Sequence, residues 1–303
     1  MTPDTFFTAS PHWTWYIIPY FFVGGIAGGA YFLAALLQWF GRPEDRPVIR
    51  TGYSLAFWGA IISGALLTLD LGKPFRFWHM LFQSENFPSL MFKSWSPISF
   101  GAWAILLFGA CAAVSWYASR APDGPPKGGV LLARLVAALG GLLGFFVAGY
   151  TGVLLSVSNR PIWADSPWLG ALFLVSGAST GAAALVLFAP GRGASAGSLR
   201  WLSSFDARAL VVELLLLIVF VASLGAVAKV WLGFWGFVLL VGVVWAGILW
   251  PLRLHLKPAA AGGGFRNPAL MVLLGGFLLR VVVLLASNSI AVHRLASDGG
   301  GMP

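Results

Sequence analysis

Eight long apolar runs, at about 15–40, 51–70, 97–118, 130–156, 167–189, 208–228, 233–252 and 267–287, occupy most of this chain. A helix rises about 1.5 Å per residue, so roughly 20 apolar residues carry it across a hydrocarbon core about 30 Å thick. Inside lipid each segment must satisfy its own backbone N–H and C=O groups, which leaves helices as the structure open to runs of this length. The reading is an all-α integral membrane protein, one membrane domain over residues 1–303, with eight transmembrane helices. Composition agrees: 58% of residues are hydrophobic and 10% are charged, where soluble domains carry roughly 25% charged residues. The runs are separated by GRPEDRP, LGKPFRF, APDGPPKGG, SNRPIWADSP, APGRGASAGS and KPAAAGGG. The weakest break is the sixth, where only Lys229 and Trp231 interrupt apolar sequence, so seven spans is the alternative.

The net charge is +9. In this composition the excess reads as the bias of basic residues toward one side of a membrane rather than as a nucleic-acid surface. Arg42, Arg46, Arg50, Arg120, Lys127, Arg134, Arg192, Arg200, Arg208, Arg253, Lys257 and Arg266 fall around the odd-numbered loops. Lys73, Arg76, Lys93, Arg160, Lys229 and Arg294 fall on the even side. This two-to-one bias puts the odd loops in the cytoplasm and both termini outside. The N-terminal stretch lacks a basic n-region, so the first helix is expected to direct insertion without a cleavable signal peptide.

The longest loop, 71–96, lies on the outer side and mixes aromatics with Lys73, Arg76, His79 and Lys93. It suits either an amphipathic segment in the membrane interface, with Trp78 and Trp95 in the aromatic belt, or a docking surface for a partner. Gly24, Gly25, Gly28 and Gly29, Gly140 with Gly144, and Gly177 with Gly181 are spaced for close helix packing in lipid.

The single cysteine, Cys111, excludes an internal disulfide and a cysteine-ligated cluster, and reads as a packing residue. His12, His79, His255 and His293 stand at or beyond span ends, which argues against a haem held by paired histidines inside the bundle. Phosphate loops, metal-ligand spacings and nucleophilic triads are not found, so the expectation is a chain with no haem, no iron–sulfur cluster and no metal.

Ionisable residues within spans are expensive and are candidates for function. Asp70 ends the second span and either pairs with Lys73 or Arg76 or relays protons. Glu213 lies about a turn into the sixth span and either pairs with Arg208 or serves function. Arg280 lies mid-span in the eighth, too deep to snorkel, and calls for a buried partner or a water-filled cavity. Tyr16, Tyr20 and Tyr150 lie at the outer ends of the first and fourth spans. The aromatic belt suits Tyr16. Tyr150 is flanked by Gly149 and Gly152, small neighbours that would leave room for a flat ring beside a phenol able to donate to a carbonyl oxygen.

Four stretches, GGIAGGAYF (24–32), LDLGKPFRFWHML (69–81), SWSPISFGAW (94–103) and GYTGVLLSVSNRPIW (149–163), resemble, in order, the NrfD/polysulfide-reductase membrane subunits. They cover most of the first half. The second half is similar mainly in span count and in Glu213 and Arg280. The resemblance implies eight spans in two four-helix bundles, no haem, and a site for quinone (menaquinone or ubiquinone) near the outer face between the first and fourth spans. It assigns the quinone-contacting tyrosine to Tyr150. Where the polysulfide-reductase member has a histidine on the first span, this chain has Tyr20. Asn159 belongs to the turn that would close the site.

The resemblance also implies a four-cluster iron–sulfur subunit docked outside on the 71–96 loop, a molybdopterin or multihaem catalytic subunit beyond it, and a place in a bacterial inner membrane. Asp70, Glu213 and Arg280, at three depths, form a candidate proton relay. A secondary transporter and a purely structural anchor are the rival readings.

Overall fold

The structure, a computed structural model, describes residues 15–121, 129–255 and 264–298, with backbone alone at Asn288 and from 291 onward. His12, Lys127 and Lys257, and the side chains of His293 and Arg294, lie outside the described residues.

Helix α1 (Ile17–Phe40) leads through a 3-10 turn at Pro43–Asp45 into α2 (Arg46–Asp70). The long loop follows, with a 3-10 segment at Pro74–Met80. Helix α3 (Pro97–Ser119) starts with proline in its first turn, where the missing N–H costs nothing, and Ser96 caps it by accepting from the Ser99 N–H. Helices α4 (Val130–Ser156), α5 (Leu169–Phe188) and α6 (Ala196–Ser223) follow. Helix α7 runs Phe234–His255, and α8 runs Arg266–Asp298.

The break between the sixth and seventh runs is real. Gly225 adopts φ +54°, in the left-handed region, and the 3-10 segment Gly225–Leu232 that carries Lys229 and Trp231 turns away from α6 by 112°. Seven helices among the described residues are long and apolar enough to cross a membrane, and the bent pair raises this to eight if it counts as one span. Helix α6 begins at Ala196, well before its apolar run, so Arg200, Asp206 and Arg208 are helical rather than loop residues. Within α7 the stretch Val238–Leu249 is π-helical, immediately before Pro251, which removes a backbone donor.

Helix α1 is the hub, packed against α2, α4, α5 and α8, and α5 contacts α4, α6 and α8 in turn. Lipid offers no hydrophobic drive between helices, so close backbone approach has to supply the packing. The paired glycines do this: a Cβ on Gly28 or Gly29 would run into the carbonyl oxygens of Gly144 or Gly177. On α7 and α8, Gly247 and Gly275 meet in the same way.

Most of the described basic residues lie at one end of the bundle. Arg50 donates to Ala121 O at 2.9 Å, Arg192 to Ser54 Oγ at 2.8 Å, and Ser198 to Asp45 Oδ1 at 2.5 Å. These bonds tie together the segments around residues 45, 121 and 192. The opposite end carries the 71–96 loop and the 157–168 connection.

Candidate functional site: a buried phenol and a polar chain between helices

At the loop end, Tyr150 is 6% exposed, and its hydroxyl donates to the Pro97 carbonyl at 2.5 Å. That carbonyl belongs to the first turn of α3. The ring lies where a side chain on Gly101 would stand, so Gly101 is what admits it. Phe146 stacks on Tyr150 at 5.3 Å, Phe100 lies 5.7 Å from Phe146, and Phe92 lies 5.8 Å from Phe100. Phe92 and Phe100 are about half exposed. A row of rings therefore leads from the lipid-facing flank to the phenol.

Tyr20 of α1 is buried and close enough to Tyr150 for the two to interact electrostatically. Its ring also lies beside Gly24, next to the Ser63 hydroxyl, which is buried without a hydrogen-bond partner among the described residues. Tyr16 is 47% exposed. Asn159 is exposed and engaged in a contact of its own.

Gly149 and Gly152 play a different part from the one expected. A Cβ on Gly149 would meet Leu174, and one on Gly152 would strike the Leu169 carbonyl. Both glycines are used to seat α4 against α5, and it is Gly101 on the α3 side that leaves space for the Tyr150 ring itself.

The SNRPIW turn folds inward. Arg160, Ile162 and Trp163 are all buried, and Trp163 Nε1 donates to Val283 O of α8 at 2.8 Å. Ile162 has φ +72°, a conformation that a β-branched residue adopts only under strain. The Asp165 carboxylate, accepting from the Ile162 N–H at 2.8 Å, helps hold it there. Burial pulls the Arg160 guanidinium below its usual range.

Deep in the bundle, Arg280 is wholly buried. Its Nη1 donates to Ser176 Oγ and to Gly276 O, both at 2.7 Å. Ser176 also faces the buried Glu213 carboxylate, which interacts electrostatically with Arg280. The guanidinium lies 5.2 Å from the Phe173 ring and 5.9 Å from that of Phe22, and its Nε and Nη2 have no hydrogen-bond partner among the described residues. The structure thus brings Glu213 and Arg280 together. It leaves Asp70 apart, half-buried at the loop end of α2, where it has contacts of its own.

Two residues that sequence reasoning passed over continue the polar line toward the basic end. Asp206 is 1% exposed; its Oδ1 accepts from Ser179 at 2.6 Å and its Oδ2 lies 3.0 Å from His255 Nε2. Asp206 and Glu213 are seven residues apart on α6, about 10 Å along its axis. Ser176 and Ser179 face them from neighbouring turns of α5. The paired spacings were visible in the sequence, but Asp206 fell before the apolar run and His255 at the end of another.

Among the described residues no three metal-ligating side chains come together. A protein-family model described as "Polysulphide reductase, NrfD" matches residues 4–291. The chain is 28% identical to the Protein NrfD homolog of Haemophilus influenzae, over 94% of this chain and 97% of that protein. It is also 28% identical to the C subunit of the polysulfide reductase of Wolinella succinogenes, over 91% of this chain and 94% of that protein. With Protein NrfD of Escherichia coli the identity is 29%, over 90% and 92%. With its apolar helices and near-complete family match, the chain belongs to the NrfD/polysulfide-reductase family of multi-pass membrane subunits.

Proposed function

We propose that this protein is the quinone-reactive membrane anchor of a multi-subunit oxidoreductase in a bacterial inner membrane, with the odd loops in the cytoplasm and both termini outside. The observation that carries the reading is Tyr150: a buried phenol at the end of an aromatic row open to lipid, next to Tyr20, at the end of the bundle that carries the 71–96 loop. Apolar surroundings with few polar groups suit a flat, lipid-soluble ligand. Quinone, when bound, supplies carbonyl chemistry that couples electron transfer to proton transfer.

The residues present would bind and orient such a ring. Phe146 and Phe100 offer faces for stacking. The Tyr150 hydroxyl, released from the Pro97 carbonyl, can donate to a carbonyl oxygen or accept from a hydroxyl. Tyr20 closes the α1 side. The loop presents Phe75 at 95% exposure and Trp95 at 79%, among Lys73, Arg76 and Lys93. An exposed apolar patch with a basic rim supports docking of an iron–sulfur subunit, with a molybdopterin or multihaem subunit beyond it. The similarity to a polysulfide reductase subunit supports membership of such a complex.

The experiment is Tyr150→Phe in the assembled complex. Quinone-linked turnover should collapse while assembly, and turnover with an artificial electron donor or acceptor at the partner subunits, persist. Wild-type quinone-linked turnover would exclude a direct role for the phenol.

A second reading, proton translocation, is favoured by the polar line His255–Asp206–Ser179 and Ser176–Glu213–Arg280. Titratable groups facing hydroxyls in an apolar bundle can hold and pass protons. Asp70, set apart, is better suited to positioning the start of the 71–96 loop. Glu213→Gln should lower the ratio of protons moved to electrons transferred, and an unchanged ratio would remove this reading.

A further inference from the structure

Two adjacent cavities of about 410 and 430 Å³ open at the basic end of the bundle. Both have Arg46, Arg50 and Ser119 in their walls, so these two arginines stand between them. The first also carries Arg42 and Arg134, and the second Arg120 and Arg192. No carboxylate lines either cavity among the described residues. Of the six guanidinium groups only Arg42 has an ion-pair partner among the described residues, Glu44 at 3.7 Å.

Four of the others are held by neutral groups. Arg50 donates to the Ala121 carbonyl and Arg192 to Ser54 and the Arg50 carbonyl. Arg120 lies 3.9 Å over the Trp116 ring and Arg134 5.7 Å from that of Trp39. Their positive charge is positioned but not neutralised.

The bias of basic residues toward one membrane side explains why arginines are at this end. It does not explain their convergence, from several helices, on two adjacent hollows. Below the charges the first cavity is apolar, and its wall includes Val114 and Val130, which are also exposed on the lipid-facing flank. Trp58 and Trp116 line the second.

We propose that this end binds an anionic phospholipid with two phosphates, a diphosphatidylglycerol, with one phosphate on each side of the Arg46–Arg50 wall and its acyl chains along the α3–α4 flank. Guanidinium forks match phosphate oxygens, and basic pockets between membrane helices are suited to such headgroups. The proposal requires the membrane location and is independent of the quinone reading.

The test is native mass spectrometry of the full chain, with whatever subunits co-purify, in mild detergent. Diphosphatidylglycerol, phosphatidylglycerol and phosphatidylethanolamine are added in equal amounts. The two-phosphate lipid should be retained preferentially, and Arg46→Gln or Arg120→Gln should each weaken it about five-fold. Arg120 is exposed at the end of α3, so its replacement leaves the fold intact, and thermal unfolding checks this. Arg46→Lys should keep most of the binding. Arg200→Gln, on the same end but outside both cavities, should change nothing. Equal retention of the three lipids, or equal loss in Arg200→Gln, would overturn the proposal. So would displacement of the lipid by millimolar inorganic pyrophosphate, which would assign the cavities to a soluble diphosphate.

Discussion

Removing the Tyr150 hydroxyl deletes one hydrogen bond, to the Pro97 carbonyl, worth about 1 kcal/mol. Tyr150→Phe should therefore fold and assemble, while a lost donor at a reacting carbonyl lowers quinone-linked turnover by roughly a hundred-fold or more. Steady-state assays with a quinol analogue, run beside an artificial dye assay, separate the two effects. Asp206→Asn makes a comparable test at the other end of the bundle. It keeps the shape and the Ser179 contact but removes the charge facing His255. If the line of polar groups carries protons, turnover in intact vesicles should slow while the same activity in detergent is less affected. That Tyr150 matters is legible in the sequence, because a phenol in an apolar run calls for a reason. The part its neighbours play is not. Gly149 and Gly152 face α5, and the glycine that admits the ring is Gly101, forty-nine positions earlier and on another helix. Which neighbour makes room for a side chain depends on helix rotation, and a helix apolar on every face leaves no periodicity from which to read it.

Among the elements, α1 is held by glycine contacts with α4 and α5. At Gly29 a Cβ would meet the Gly177 backbone, which cannot yield as a flexible side chain could. Gly29→Val should cost about 1–3 kcal/mol and lower the unfolding temperature in detergent. Gly64, with nothing within 4 Å of its Cβ position, is the control, and Gly64→Ala should be tolerated. These spacings are readable as packing motifs from the amino-acid order alone, since small residues four apart have few other uses in lipid. The start of α6 is not. Arg200, Asp206 and Arg208 give that segment the look of a loop, but a helix emerging at the membrane surface can carry charges on its wetted turns. The bend at Gly225 is legible as an interruption, but the left-handed backbone of Gly225 and the 112° turn come only with the structure.

For the whole molecule, Ser176 on α5 engages both Glu213 of α6 and Arg280 of α8, two buried groups that interact electrostatically. Removing one of two interacting buried charges leaves the other uncompensated, at a cost of about 1–3 kcal/mol or more. Arg280→Leu should strongly destabilise the chain, and adding Glu213→Leu should recover much of the loss, both measured by thermal unfolding in detergent. At the loop end, Phe75→Glu in an exposed patch should leave the membrane chain intact yet reduce co-purification of its partner subunits, read by quantitative pull-down. Run length and hydropathy were sufficient to establish a helical membrane protein, its breaks and its basic loops, because those properties belong to each segment separately and follow from lipid as the solvent. Four ordered motifs were sufficient for the family. The convergence of Glu213 and Arg280 on Ser176, the meeting of Asp206 with His255, and the gathering of six arginines around two adjacent cavities came only with the fold. Each joins residues on different helices, far apart in the chain, and their approach depends on how the helices rotate and cross, which small residues in close backbone contact control.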